Sequence, residues 1–533
     1  MFLADVRRQS WLLIGSLIVV LAMLALVRPV SHDESQYVAA TALAVHHLPY
    51  RDFALLQTPL QPLLFAPLAM LAPGWLFLSL RLVNAMLGVI TALLLFVSMR
   101  RAGAPRNHSA AATVLFLSCG ATLFTVAVAR NDVLPMALMA GAMALLAGST
   151  SPTRVAGAAF ALGAATAAKI SFAFPAAALL ALALLGPANV RAAVPWRYVV
   201  LGFLPPFILV AMLALAAPNA FLFEVITFPA KAPAEWYQRT GKGFKLGFGH
   251  PVEFLKLLAT GPALAALVTV GVAGWRCREA HAKNVNAWLF GSFATAGLIA
   301  AYLPNPSNQQ YLASLLVPLF ACLGLTVADH ARPSPQALAA WSAFALIGVL
   351  PSVEAVAGAI HQKSFVAIDV ERDAHRIGTE LDEAGIGGPL AGLSAHYYVD
   401  SGRPLAPEFA AGPFAYRMVG LTTSSNDRDW HIAVRNRPGE LEPSSTAAVI
   451  TGKEGRNHRG IVLDDDLARS ALRAGFEPVF AVGDLKVWLR HADADAWARV
   501  NPRERQWHDR LKRTLDRRAR LTDTVLAEPP LRS

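Results

Sequence analysis

An apolar run, Trp11–Val27, gives way almost at once to Ser31-His32-Asp33-Glu34-Ser35-Gln36-Tyr37. Two adjacent carboxylates thus stand where an oily segment has just ended, and the meaning of run and acids together decides the fold. A run of this kind is long enough to approach the span of a bilayer core. Arg7 and Arg8 precede it, as in a signal peptide. It is longer than a usual signal core, however, and no A-x-A cleavage site follows. It reads as a retained first span. The acids have a local explanation: Ser31 and Glu34 fit a capping box, and Asp33 in the first turn suits the helix dipole. That pattern still leaves Asp33 free to face the membrane surface.

Composition supports a membrane protein. Of 533 residues, 55% are hydrophobic and 16% charged, and the apolar residues come in runs instead of alternating with polar ones. The net charge of +11 lies largely in short connections and in the last thirty-odd residues, where membrane orientation and lipid headgroups account for it without nucleic acid. Cys119 and Cys322 lie in apolar runs and Cys277 in a basic connection; no metal-like spacing or disulfide framework exists among them.

Spanning candidates are Trp11–Val27, Trp75–Val97, Ala110–Val128, Val133–Ala147, Val155–Ala168, Ile170–Leu185, Tyr198–Ala217, Phe254–Trp275, Ala287–Leu303, Tyr311–Val327 and Leu338–Val356, about eleven in all. Arg154–Gly186 is too long for one straight span, and a lysine at its middle would be costly in lipid. Splitting it at Lys169 brings that residue near an interface. The split also puts Arg7/Arg8, Arg100/Arg101/Arg106, Arg154, Arg191/Arg197 and Arg276/Arg278/Lys283 all on the cytoplasmic side. The N-terminus is then inside. SHDESQY, Arg130-Asn131-Asp132, Lys169, Pro218–Glu253, Pro304–Gln310 and everything after Val356 are outside. In the first outer loop, Glu34–His47 has a helical pattern, and Leu60–Leu71 is apolar but too short to span. The Pro218–Glu253 segment reads as a loop. Beyond Ile360 a helical pattern over Phe365–Ala384, strand-like pieces at Leu390–Leu393, Ala447–Ile450 and Glu477–Leu489, and a helix over Leu467–Ala474 suggest a small α/β domain. Val500–Arg520 is a basic, helix-like tail.

Three polar sites lie on the outer side. Arg130-Asn131-Asp132 fits a helix N-terminus capped by Asn131 or Asp132, but that does not explain Arg130. Lys169 could be a snorkelling lysine; isolated in a tight turn back, it favours function. Asn305-Pro306-Ser307-Asn308-Gln309-Gln310-Tyr311 fits an ordinary turn. His46 and His47 lack a third ligand, so a metal reading is weak.

In order along the chain come Asp33-Glu34, Tyr37, Leu48-Pro49-Tyr50-Arg51-Asp52, Thr58-Pro59-Leu60, Arg81-Leu82, Arg130-Asn131-Asp132 and Ala167-Ala168-Lys169. This set resembles the GT-C membrane glycosyltransferases, in the branch holding protein O-mannosyltransferases and lipid A aminoarabinose transferases. The resemblance covers about the first 360 residues. It implies a transferase using a polyprenyl-phosphate-linked sugar, with the acidic residue after span one, Asp33, as catalytic base. Some members carry Lys-Pro-Pro-Leu in the first loop, with the lysine near the donor phosphate. Here Gln57-Thr58-Pro59-Leu60 stands instead, and the phosphate needs another cation.

Chemistry agrees. A lipid-phosphate donor has a stable anionic leaving group, so one carboxylate to take the acceptor's proton suffices. Attack comes from the opposite face, as in inverting glycosidases, and the phosphate calls for lysine or arginine. The expected catalytic residues are Asp33, Glu34 and Asp132; Lys169, Arg130 and Arg81 are expected at the donor phosphate. Tyr37, Tyr50, Asn131, Asn308 and Gln309 are expected to bind substrate, and a divalent metal is left open as a cofactor.

The reading is therefore a mainly α, polytopic transmembrane helical bundle of about eleven spans, with its N-terminus inside and a small C-terminal α/β extracytoplasmic domain. Residues 1–358 form the catalytic membrane domain with a long first outer loop (29–73). Residues 359–495 form the soluble domain and 496–533 the tail. Its place is the cytoplasmic (inner) membrane, with an extracytoplasmic active site. Partners are a polyprenyl-phosphate-linked sugar donor, a lipid, glycan or protein acceptor, and membrane lipids. The rival is a secondary transporter or lipid flippase, which tends to show repeated halves and mid-membrane ionisable groups. A third reading makes the C-terminal domain a binding module on an idle anchor.

Overall fold

The computed structural model describes residues 2–148, 151–279, 283–326, 334–435, 437, 441, 446–454 and 462–501. Most of the expected basic tail lies outside them. Within the described residues each of the eleven apolar runs is helical. Five helices are long and apolar enough to cross a membrane: Leu76–Arg101, Trp196–Ala216, Val285–Tyr302, Gln309–Thr326 and Pro335–Gln362. Trp11–Val27, Leu60–Leu71, Val133–Leu146 and Ile170–Leu185 are shorter apolar helices. On Pro335–Gln362, Leu346, Leu350 and Ile360 are exposed; apolar side chains facing outward in this density suit a lipid surface.

Two runs expected as straight spans are instead sharply bent. Arg106–Leu117 and Gly120–Val126 meet at 71°, and Gly249–Ala259 and Ala263–Arg276 at 95°. The two bends touch. Gly120 N–H donates to the Thr260 carbonyl at 3.3 Å. Gly261 has φ +114, and a Cβ there would lie 3.2 Å from Cys119 Cα. Only glycine combines that dihedral with such a close backbone approach. Counting each bent pair as one span gives up to seven long spans; the sequence count of about eleven also takes in Trp11–Val27, Val133–Leu146, Ile170–Leu185 and the helix Pro152–Ala168, and leaves out Leu60–Leu71.

The chain also breaks at Lys169, which is extended (φ −154, ψ 122) between Pro152–Ala168 and the turn Ile170–Phe172 that leads into Ala173–Leu185. The Pro218–Glu253 segment differs from the expected loop. It is helical over Pro218–Leu222, Phe228–Arg239 and from Gly249, with a π-turn over Phe223–Thr227. Its aromatics mark packing: Phe223, Phe228 and Ala232 are buried with Ala54 and Leu56 of the first loop and with Ala411, Ala415 and Ile432. Those partners are remote in sequence, so local composition misjudges the segment.

After the helix Val366–Glu383 comes a four-stranded sheet: β1 Leu390–Gly392, β2 Ala448–Thr451, β3 Phe476–Val482 and β4 Leu485–Arg490, in the order β1-β2-β4-β3. β1 and β2 are parallel; the other pairs are antiparallel, with Val449 opposite Trp488. The stretch read as one piece, Glu477–Leu489, is thus a hairpin turning at Gly483-Asp484. Leu463–Arg473 and His491–Val500 complete the domain. It does not stand apart: Ala39, Tyr50 and Phe53 of the segment that follows the first apolar helix share one buried cluster with Ile377, Leu390, Ile450 and Phe480.

Candidate active site

Asp33 occupies the N-cap position of the helix Glu34–Leu43, yet its side chain makes no capping bond. Asp132 stands at the same position before Val133–Leu146, and it too leaves the helix end uncapped. Both carboxylates are drawn to the same cation. Arg130 pairs with Asp33 Oδ2 through one Nη and with Asp132 Oδ2 through Nε, the latter at 3.0 Å. Lys169 pairs with Asp132 Oδ1. Asp33, Arg130, Asp132 and Lys169 therefore form one chain of alternating charge. The cost of leaving two N-termini without side-chain caps, about 0.5–2 kcal/mol each, is offset by charge-assisted bonds among largely buried groups.

Three breaks in helical structure bring these residues together: the end of the first span, the Arg130 turn and the Lys169 turn. Asp132 is fully buried, Arg130 and Lys169 nearly so, while the Asp33 side chain keeps 24% of its surface. Burial by itself would raise the Asp33 carboxyl. Arg130, His32 and Arg417 outweigh it and hold the group below its ordinary value, so Asp33 is a carboxylate at neutral pH.

Asp33, Arg130 and Lys169 open into a cavity of about 520 Å³. Tyr37 lines it and lies under Arg130, with the guanidinium 5.7 Å from the ring centroid. Tyr311 lines it as well, with Lys169 Nζ 5.8 Å from its ring. Asn308, Gln310 and Gln57 also face it. Asn131 sits behind the wall. Its amide donates to Gln57 Oε1 at 3.3 Å and to the Ala168 carbonyl at 3.1 Å, so it steadies the Lys169 break. Gln309 is half-buried and outside the lining; its neighbour Gln310 takes that place.

Three expected site residues lie elsewhere. Glu34 and Arg81 are fully buried against one another, with Arg81 Nε 2.8 Å from Glu34 Oε1 and Nη2 2.7 Å from Oε2. Arg81 also donates to the carbonyls of Ala25 and Arg28 at 3.0 and 2.8 Å. Neither residue lines the cavity. A guanidinium already bonded to a carboxylate and two carbonyls has little left for a phosphate. The expected capping box is half formed: Glu34 Oε2 accepts from Ser31 N–H at 2.6 Å, but no side chain caps the helix in return. Tyr50 is buried too, its hydroxyl donating to the Gln57 carbonyl at 2.6 Å. It shapes the loop carrying Gln57 and does not line the cavity.

The opposite wall comes from segments in which sequence reading found no site. Trp236 and Lys242 belong to the stretch expected to be a loop; Phe414, Arg417, Lys453 and Glu454 come from the C-terminal domain. Gly412 holds that domain close, with φ +54 and a Cβ position 3.0 Å from Ser35 Oγ, two residues after Asp33. Glu454 accepts from Ser394 Oγ at 2.8 Å and meets His32 Nδ1 at 3.2 Å. Gln57, Gln310 and Tyr311, which line the cavity without having been expected there, do lie in stretches with a local signal. Among the described residues no cluster of His, Cys, Asp and Glu could hold a metal. The acids at the site, Asp33 and Asp132, are bound to cations instead, and they do not fit a metal centre.

No protein-family model matches the chain, and no curated protein sequence matches it. Solved structures do. ArnT from Cupriavidus metallidurans bound to undecaprenyl phosphate superposes with a TM-score of 0.58 at 14% identity, covering 91% of this chain and 99% of that one. Its apo state gives 0.55 at 14% identity, with 92% and 99% covered. At this identity the likeness is one of fold: the chain shares the overall fold of ArnT over nearly its whole length.

Proposed function

We propose that the chain is a glycosyltransferase that takes a sugar from a polyprenyl-phosphate donor and passes it to a lipid, glycan or protein hydroxyl. Its cavity lies at the outer face of the cytoplasmic membrane. The observation that carries the reading is the state of Asp33: at an N-cap position, uncapping, anionic and open to the cavity. The ion pair with Arg130 uses Oδ2. Oδ1 is bonded to no described residue and can face an acceptor hydroxyl. The acceptor oxygen attacks the anomeric carbon while its proton passes to Oδ1. The bond from that carbon to the phosphate oxygen breaks, its electron pair leaves with the phosphate, and the configuration inverts. The leaving group is already anionic and needs no acid. Arg130 orients the base and keeps it ionised. Lys169, buried against Asp132 and opening into the same cavity, supplies positive potential on the donor side. The ArnT structure with undecaprenyl phosphate supports a lipid-linked donor.

The test is transfer from a panel of polyprenyl-phosphate sugars by the purified protein and by Asp33→Asn. Loss of a general base lowers rate by about a hundredfold to ten-thousandfold, so the variant should fold and transfer almost nothing. Near-normal turnover in a folded Asp33→Asn protein would remove Asp33 from the mechanism. Lipid translocation by wild type with no transfer from any donor would favour the flippase reading.

A further inference from the structure

The cavity holds more positive charge than its own acids balance. Asp33, Arg130, Asp132 and Lys169 neutralise one another. His32 faces Glu454, and Lys453 pairs with Asp484 at 3.2 Å. Among the described residues lining the cavity, Arg417 and Lys242 make no ion pair; the charges of Asp33 and Glu454 act on Arg417 without contact. Lys242 is half-buried on a turn. Arg417 is held differently. Its guanidinium lies 4.6 Å from the Trp236 ring centroid and 4.9 Å from that of Phe414, and its Nε is buried without a hydrogen-bond partner. Leaving a buried charged donor unmade costs free energy that folding alone gives no reason to spend. Aromatic contacts restrain the guanidinium but satisfy none of its N–H groups, which lie in its plane, spaced to meet two oxygens of one phosphate.

We propose that Arg417 is the anion receptor of this cavity and binds a phosphate edge-on between Trp236 and Phe414. The C-terminal domain thereby supplies the cation that the uncharged Gln57 and Thr58 do not. The inference rests on the transferase reading of the cavity. It also explains why that domain shares a core with the first loop: an anion receptor must be fixed relative to Asp33. The phosphate belongs either to the lipid-linked donor or to an anionic acceptor. The chemistry is the same and the test separates the two.

Binding of undecaprenyl phosphate and of inorganic phosphate is measured on the full-length protein in detergent, for wild type, Arg417→Gln, Arg417→Lys and the surface control Arg469→Gln. Unfolding temperature is recorded for each. Failure of wild type to bind undecaprenyl phosphate would count against the transferase reading itself. With wild-type binding in hand, Arg417→Gln should bind the lipid about tenfold to a hundredfold more weakly, the loss of a charge-assisted bond. Arg417→Lys should recover part of it and Arg469→Gln should match wild type. If the variant keeps the lipid but loses inorganic phosphate from the lipid-loaded protein, the receptor serves the acceptor. If it keeps both, the proposal is overturned. Should Arg417→Gln not fold, Arg417→Lys decides: it keeps the charge but loses the two-point geometry, and unchanged binding of both probes overturns the proposal.

Discussion

The Glu34 carboxylate accepts four hydrogen bonds, from Nε and Nη2 of Arg81 and from the backbone N–H groups of Ala129 and Ser31. It thus ties the helix Glu34–Leu43, the helix Leu76–Arg101 and the Arg130 turn into one unit. Asp33, one residue earlier, makes a single ion pair and remains partly open. The two should therefore fail differently. Glu34→Gln leaves a fully buried guanidinium without its counter-charge, and breaking a buried pair from one side costs about 3–5 kcal/mol. Asp33→Asn leaves Arg130 bonded to Asp132 and should cost far less. The check is thermal unfolding of both purified variants. Glu34→Gln should melt well below wild type or not accumulate, and Asp33→Asn should melt close to wild type. Equal melting temperatures for Glu34→Gln and wild type would show that the pair is not a structural tie.

The helix Leu76–Arg101 is held at its N-terminus by the C-terminal domain. Asp400 accepts from the N–H groups of Leu76 and Phe77 at 2.7 and 3.0 Å, and Glu371 accepts from Leu78 at 2.8 Å. Three of the orphan donors of a helix start are satisfied in this way, with the Asp400 charge at the favourable end of the dipole. Burial, and next the charge of Asp400, push the Glu371 carboxyl up to about 9. A carboxyl raised in the folded state binds a proton that the unfolded chain, with its value near 4.3, has released. Stability should therefore fall as pH rises from about 5 to 9. Glu371→Gln, uncharged at every pH, should flatten that slope. Unfolding temperature against pH for wild type and variant checks this; parallel curves would assign the pH dependence to another group.

Across the whole molecule, one buried cluster joins the loop after the first apolar helix to the C-terminal sheet, so the two must lie on one side of any membrane that the helices cross. That side is the outer one if the arginine-rich connections lie inside. Single cysteines at Arg51 and Arg372, whose side chains are 55% and 71% exposed, in a protein with Cys119, Cys277 and Cys322 replaced by serine, report this directly. Both should react with an impermeant thiol reagent in intact cells. Protection of both would turn the protein over in the membrane, and reaction at one alone would break the assignment of both segments to one side.

Periodicity and composition suffice for much of this protein. Long apolar runs bounded by arginine specify helices in lipid because no other backbone arrangement satisfies its hydrogen bonds there. The break at Lys169 follows from the cost of a lysine in mid-membrane. The acids at Asp33 and Asp132 stood out because carboxylates are rare beside such runs. What those acids do was a tertiary matter. Two N-cap carboxylates leave their helices only because Arg130 and Lys169 arrive between them, and Arg81 is a structural cation only because Glu34 meets it across 47 residues of chain. The helical Phe228–Arg239 segment owes its order to partners near Ala415, and Arg417 reaches the cavity only through the docking of a remote domain. Local sequence fixes which backbone conformations are cheap. Which charges are neutralised, and which remain for a ligand, depends on distances between segments far apart along the chain, and the packing of the whole molecule sets those distances.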